Sequence, residues 1–467
     1  MRILFSDSEN EVQGMGLFTK DRSFYRSLLS LAIPVALQNL ITFAVSFADN
    51  VMVSSLGDSA VSGVYMANQL QTFLQMFSGG VEATILILAA QYWGKRDTKS
   101  IKNIVSFGIR VSVAVGSILT VVCLLFPSPI ISLLTKEASV ISDGSAYLRR
   151  VCLSYIFFCI TQSLIAAMRS VEIAKTGMYV SLCSLFINVG LNYILIFGKL
   201  GVSPMGLQGA AIATLISRVA ECLIITVYVL FFDKRLGMRV KDFFKTDRVI
   251  TRDFIKYSIP VISGNIVWSI NLMTNSAILG RFSEEVISAV SVANTMNSLA
   301  YIAINGMSSA VGIITGKTIG EGKTELIKEY ARTTQILFLL LGIMTGGLIF
   351  TIRAPFIALY KGISADAAVY SMQFINVLAV TSIGTSYQAA CLAGLVKAGG
   401  DVGFVFKNDT IFVFCVVIPS ALIALNAGAP AWIVFACLKC DQILKCIVAY
   451  FKINSFNWIK DLARDTK

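Results

Sequence analysis

The chain has 467 residues, of which 56% are hydrophobic and only 14% charged, and its mean hydropathy is +0.75. A soluble domain carries about 25% charged residues, so a soluble enzyme is excluded, and apolar runs of about 20 residues mark bilayer spans instead. The net charge of +12 and the absence of any histidine leave no zincin, Ser-His-Asp or Cys-His chemistry.

The first stretch, to Asp21, is polar and has no apolar core followed by a cleavage site. No signal peptide is therefore expected. Twelve spans follow, at 27–55, 60–92, 103–127, 146–169, 177–198, 207–232, 256–281, 286–318, 334–353, 368–396, 404–426 and 428–451. Several exceed what a bilayer requires, and tilt or extension is expected there.

Span one holds Pro34 and Asp49. Asp49 lies six residues before the outer end, roughly 10 Å below the surface. Span two carries Met66, Gln69 and Glu82, and the loop after it Lys95, Arg96, Lys99 and Lys102. Span five presents Asn188 and Asn192 one turn apart on one face, at a depth similar to that of Asp49. An outward-facing polar pocket of these three residues is expected. Glu221 on span six shares a cytoplasmic-half depth with Glu82.

Segment 233–256 is basic, with Phe243 and Phe244 among its charges. It reads as a linker with a short interfacial helix. Span seven opens on YSIPV, where span one has LAIPV, at an offset of 226 residues. The same offset pairs Gly57-Asp58 with Ser283-Glu284, Ala67-Asn68 with Ala293-Asn294, Gly94 with Gly320, and Ile101-Lys102 with Ile327-Lys328. The chain is thus a duplicated six-span unit. Six is even, so both copies enter the bilayer alike, related by an axis along the membrane normal with a cavity between them.

Span seven carries Asn265, Trp268, Asn271 and Asn275, the last of these being the counterpart of Asp49. On span eight, Asn294, Asn297, Tyr301 and Asn305 recur at helical spacing as one polar stripe, which suits a cavity wall. Amides also glue helices together without lining anything. Thr315-Gly316-Lys317-Thr318 and Gly322-Lys323-Thr324 imitate the end of a P-loop, but Val311 and Lys317 stand where its first glycine belongs. Asp409 lies near the inner side of span eleven, and Asp441 on span twelve is spaced to pair with Lys445. Buried ionisable groups in a bilayer mark pathways, although Asp409 and Asp441 also suit simple ion pairing. Cys437 and Cys440, with Cys446, lack the partners of a zinc site.

Basic residues gather in alternate loops: after span two, in 234–252, at Lys317, Lys323 and Lys328, and in the tail at Lys452, Lys460, Arg464 and Lys467. The intervening loops hold few, such as Lys136, Lys199 and Lys361. This asymmetry places both termini in the cytoplasm. The charge is then a basic face on anionic lipid, not a nucleic-acid surface. The expected organisation is a cytoplasmic segment 1–25, an N-lobe 26–233, a cytoplasmic linker 234–255, a C-lobe 256–452 and a cytoplasmic tail 453–467: an all-α polytopic membrane protein of twelve transmembrane helices in two six-helix repeats.

The strings IPVALQNLITFAVSFADNVMVSSLG, AAQYWGKRD, MRSVEIAKTGM, INVGLNYILIFG, GLQGAAIAT and LVKAGGD resemble the multidrug and toxic compound extrusion (MATE) family of cation-coupled antiporters. The resemblance runs from about residue 26 to 460. It implies a V-shaped pair of lobes that open alternately to each side. It also implies export of amphipathic, often cationic, organic compounds in exchange for protons or sodium ions, in the bacterial inner membrane. Asp49 falls on the family's coupling aspartate and Asn188 on its span-five asparagine. Asn192 stands where many members have aspartate, and Asn265 where many have glutamate.

Ion coupling is therefore expected at Asp49, Asn188 and Asn192, with a substrate cavity of Met66, Gln69, Glu82, Asn265, Trp268, Asn294 and Tyr301. No cofactor beyond H+ or Na+ is expected. The expected partners are small organic molecules and membrane lipids, with no nucleic acid, and the protein is expected to act as a monomer. Two other readings are a lipid-linked oligosaccharide flippase, which would want more cationic residues than Arg110, Arg149, Arg150 and Arg218, and a non-transporting receptor or scaffold.

Overall fold

The computed structural model describes residues 18–245, 247–360 and 363–464. The first seventeen residues of the expected cytoplasmic segment, Lys361 and the last three residues of the tail, Lys467 among them, lie outside that range. All secondary structure among the described residues is helical.

The first repeat consists of α1 (Arg22–Ser54), α2 (Asp58–Gly94), α3 (Thr98–Leu125), the short α4 (Pro127–Ser132), α5 (Ala138–Val151), α6 (Tyr155–Ser170), α7 (Lys175–Phe197) and α8 (Gly206–Val227). A 3-10 turn joins α5 to α6, and a π-turn extends α8 to Phe232. The second repeat has α9 (Arg248–Leu279), α10 (Glu284–Gly320), α11 (Thr324–Ala358), α12 (Ala365–Gln388), α13 (Val402–Ile411), α14 (Ile418–Asn426), α15 (Ala431–Lys439) and α16 (Asp441–Asn454). π-turns prolong α12 to Val396 and join α13 to α14.

The 226-residue offset extends through the whole repeat. Arg22 maps onto Arg248, Gly94 onto Gly320 and Thr98 onto Thr324, and α8 and α15, which open the last span of each repeat, start within one residue of register. Helix boundaries set by loop residues have thus survived where side chains have not.

Among the described residues, ten helical segments are long and apolar enough to cross a membrane. The two remaining expected spans are also helical, one more polar and the other broken into two shorter helices. Helix α9 runs unbroken and carries Asn265, Asn271 and Asn275. The span expected at 428–451 is broken at Cys440 into α15 and α16, beside the charged Asp441. Pro34 and Pro260 lie inside α1 and α9, where each removes a backbone donor.

The described residues form two compact units, one of Ile33–Ser269 and the other of those up to Ala32 together with those from Ile270 onward. The changeovers therefore fall within α1 and α9. In the first unit a core of Leu74, Leu148, Val151, Tyr155, Cys159 and Ala211 is buried between α2, α5, α6 and α8. In the second, Phe374 stacks on Phe435 at 4.5 Å within a core of Val292, Met296, Leu378 and Val434. Gly342 and Gly346, one turn apart on α11, let α12 come close: a Cβ on Gly346 would stand 2.4 Å from the Ala379 carbonyl. This is small-xxx-small packing, in which contact area replaces a hydrophobic drive that lipid does not supply.

The linker forms a short 3-10 helix, Val240–Phe244, with Phe244 exposed. Buried Asp242 anchors it. Its carboxylate accepts from the Arg239 backbone N–H at 3.0 Å and meets Lys245 at 2.8 Å and Lys102 at 3.3 Å. Burial works against the charge, but these donors prevail and hold the carboxyl at about 2.

Candidate functional site

The first unit contains a cavity of about 200 Å³ lined by α1, α2, α5, α7 and α8. Asp49 enters from α1. Asn192 Nδ2 donates to Asp49 Oδ1 at 2.5 Å and to Asn188 Oδ1 at 3.2 Å. Both partners of that nitrogen are acceptors, which fixes the orientation of the amide. Among the described residues no donor reaches the buried Asn192 carbonyl oxygen. The three residues expected to form the ion pocket thus sit together, and Asp49 and Asn188 line the cavity.

The wall from α2 is Asn68, Gln71, Thr72 and Gln75. These four lie on one helical face. Shifted by 226, they become Asn294, Asn297, Ser298 and Tyr301, the second-repeat stripe. The repeat itself therefore contained the signal for this wall, and reading each copy separately misses it.

Tyr147, Thr214, Ser217 and Arg218 also line the cavity. Arg218 Nη1 is 2.7 Å from Glu221 Oε2, and its guanidinium lies 5.2 Å from the Phe158 ring. Local spacing shows only an i, i+3 ion pair on α8; that one member of it faces Asp49's cavity is a tertiary fact.

The expected substrate-cavity residues do not gather here. Glu82 binds Arg169 Nη1 at 2.6 Å, and Arg169 Nη2 donates to Gln38 at 2.8 Å, a cross-link between α1, α2 and α6. Asn265 Nδ2 donates to the Met76 carbonyl at 2.9 Å, fastening α9 to α2. Met66 packs partly buried against the first core, and Gln69 is exposed. Trp268 is half-buried and Asn294 exposed. Tyr301 lies near Thr385 and Asp441 in the second unit.

The MatE family profile matches residues 34–194 and again 260–423. The two matches begin at Pro34 and Pro260, the same 226-residue offset. The chain belongs to the MatE family. As a MatE protein it is a multi-pass membrane transporter of the multidrug-efflux class, not an enzyme.

A probable multidrug resistance protein NorM of Thermotoga maritima is 26% identical over 337 residues, covering 72% of each chain. The uncharacterized transporter YisQ of Bacillus subtilis is 24% identical over 451 residues, 94% of this chain and 96% of YisQ. Among solved structures, a MATE protein in complex with MaL6 superposes with a TM-score of 0.83 at 19% identity, over 92% of this chain and 96% of that one. That likeness establishes the MATE fold of twelve transmembrane helices.

Proposed function

We propose that this MatE transporter exports amphipathic, often cationic, organic compounds in exchange for protons or sodium ions, and that Asp49 carries the coupling ion. The observation that carries the reading is a buried carboxylate beside an unsatisfied amide oxygen. Asp49 accepts from Asn192, whose own carbonyl oxygen has no donor among the described residues. Carboxylate and amide oxygens are hard ligands that suit a proton, a water or a sodium ion. The size of the cavity supports an ion over a drug. About 200 Å³ is below the roughly 300–1,000 Å³ of drug-sized sites.

Asn188 and Asn192 hold the carboxylate in place, and Arg218 sets the field across the cavity. In the ion-bound state Asp49 is neutralised. In the free state its charge draws the next ion, and alternating access links the two states. Glu82 and Asn265 act through their structural partners, Arg169 and the Met76 carbonyl.

The test is gradient-driven dye efflux from proteoliposomes. Parental protein transports under a proton or sodium gradient, and Asp49→Asn, inserted normally, does not. Transport by Asp49→Asn at the parental rate would remove Asp49 from the mechanism. The lysine and arginine asymmetry supports cytoplasmic termini in the bacterial inner membrane. A cysteine at Lys241 should accept a membrane-impermeant label only after permeabilisation, and labelling in intact cells would reverse the topology.

A further inference from the structure

The second unit buries a charged cluster of its own. On α16, Lys445 Nζ lies 3.0 Å from Asp441 Oδ2 one turn back and 3.0 Å from Asp409 Oδ1 on α13. The lysine side chain is 4% exposed and that of Asp441 1%. In the first repeat the counterparts of Asp409, Asp441 and Lys445 are Cys183, Leu215 and Val219. The same skeleton therefore packs at these positions without any charge. Lys445 and Asp441 are buried, while the Asp409 side chain is 34% exposed; buried charges are costly in a bilayer, and apolar replacements of buried ion pairs are often neutral or stabilising. Packing does not explain the cluster.

Its surroundings resemble a cation site. Gln442 Nε2 faces both Asp441 oxygens, at 3.2 and 3.3 Å. Gln442 Oε1 accepts from Thr385 at 3.0 Å and from Gln388. Tyr301 lies near Thr385 and Asp441, and the Phe412 ring is 5.8 Å from the ammonium. Two further cations face the carboxylates, Lys397 towards Asp409 and Lys439 towards Asp441. Two carboxylates from separate helices, steadied by an amide and hydroxyls, thus converge on one monovalent cation, and that cation belongs to the chain.

We propose that Lys445 is a resident cation occupying a monovalent-cation site built by Asp409 and Asp441, so that this half of the transporter takes up no mobile ion. The consequence for coupling, one mobile ion through Asp49 alone, rests on the function proposed above. The occupancy of the site by Lys445 does not.

The test uses the purified full-length chain with Asp49→Asn, which silences the first cavity. Unfolding midpoints are compared in sodium chloride and choline chloride, together with binding of radioactive sodium. With Lys445 present the two salts give equal midpoints and no sodium is retained. With Lys445→Met added, sodium at about ten times its Kd raises the midpoint by roughly 1–2 °C and is retained. Adding Asp409→Asn removes both effects. Lys445→Gln, which keeps a donor for the carboxylates, behaves as Lys445→Met does. A lysine variant that folds in sodium but not in choline also supports the site. Equal midpoints in both lysine variants would overturn it. So would a sodium response with Lys445 in place, or failure of both variants to fold in either salt, since Lys445 would then be only a structural ion pair. Because the readout is cation binding, a chain that fails to pump dye leaves this result standing, and the reverse also holds.

Discussion

The two repeats share a skeleton and differ in their buried charges. The starts of the six spans agree to within a residue across 226 positions, yet Asp49, Asn188 and Asn192 of the first repeat correspond to Asn275, Phe414 and Ile418 in the second. Arg169, Glu82 and Gln38 correspond to Leu395, Ser308 and Gly264, while Asp409, Asp441 and Lys445 correspond to apolar residues or cysteine. Backbone hydrogen bonding must be satisfied inside each helix of a membrane protein, so the skeleton is held by a requirement every residue shares. A buried charge is held only by its few partners and can be gained or lost with them.

The sharpest way to break this comparison is to move the acid. Asp49→Asn should reduce gradient-driven efflux to background. Adding Asn275→Asp should not restore it, because Phe414 and Ile418 offer no amide to position the new carboxylate. Restored transport in the proteoliposome assay would mean that the repeats are interchangeable as ion sites.

The next largest effect is expected at the Arg169 cross-link. Arg169→Leu gives this position the residue of its counterpart and strands Glu82. Breaking a buried pair from one side costs about 3–5 kcal/mol, read as a lowered unfolding midpoint. Arg169→Leu with Glu82→Ser imports both counterparts and should recover most of the loss. If it does not, the first unit depends on the ion pair in a way its twin does not.

Asn192→Asp sharpens the first cavity. A second carboxylate within hydrogen-bonding distance of Asp49 cannot readily ionise alongside it, so the pair holds a proton to higher pH. The pH profile of efflux should move upward by about one unit. An unmoved profile in correctly inserted protein would separate the two residues functionally.

The smallest effect concerns the linker, which has no counterpart in the repeat. Asp242 is held at about 2, below its unfolded value of about 3.9. Its contribution to stability is therefore complete above about pH 4 and lost as pH falls through 2. Asp242→Asn should cost about 1 kcal/mol at neutral pH and flatten that acid dependence, as followed by denaturation of the purified chain. An unchanged acid limb would show that Asp242 does not anchor the segment.

The sequence alone determined the fold class, the duplication and the acid of the candidate ion site. Apolar run length, the repeated Ile-Pro-Val and a lone aspartate in span one are local signals, readable because lipid penalises every polar exception. The pairing of Asp441 with Lys445 was also local, at one helical turn. Tertiary structure alone decided which polar residues meet. It turned Glu82 towards Arg169 and Asn265 towards the Met76 carbonyl, set Arg218 on the wall of the Asp49 cavity, and brought Asp409 to Lys445 from another helix. A helix of 3.6 residues per turn gives each side chain a face, but the neighbour it meets depends on how helices far apart in the chain cross, and no local spacing encodes that.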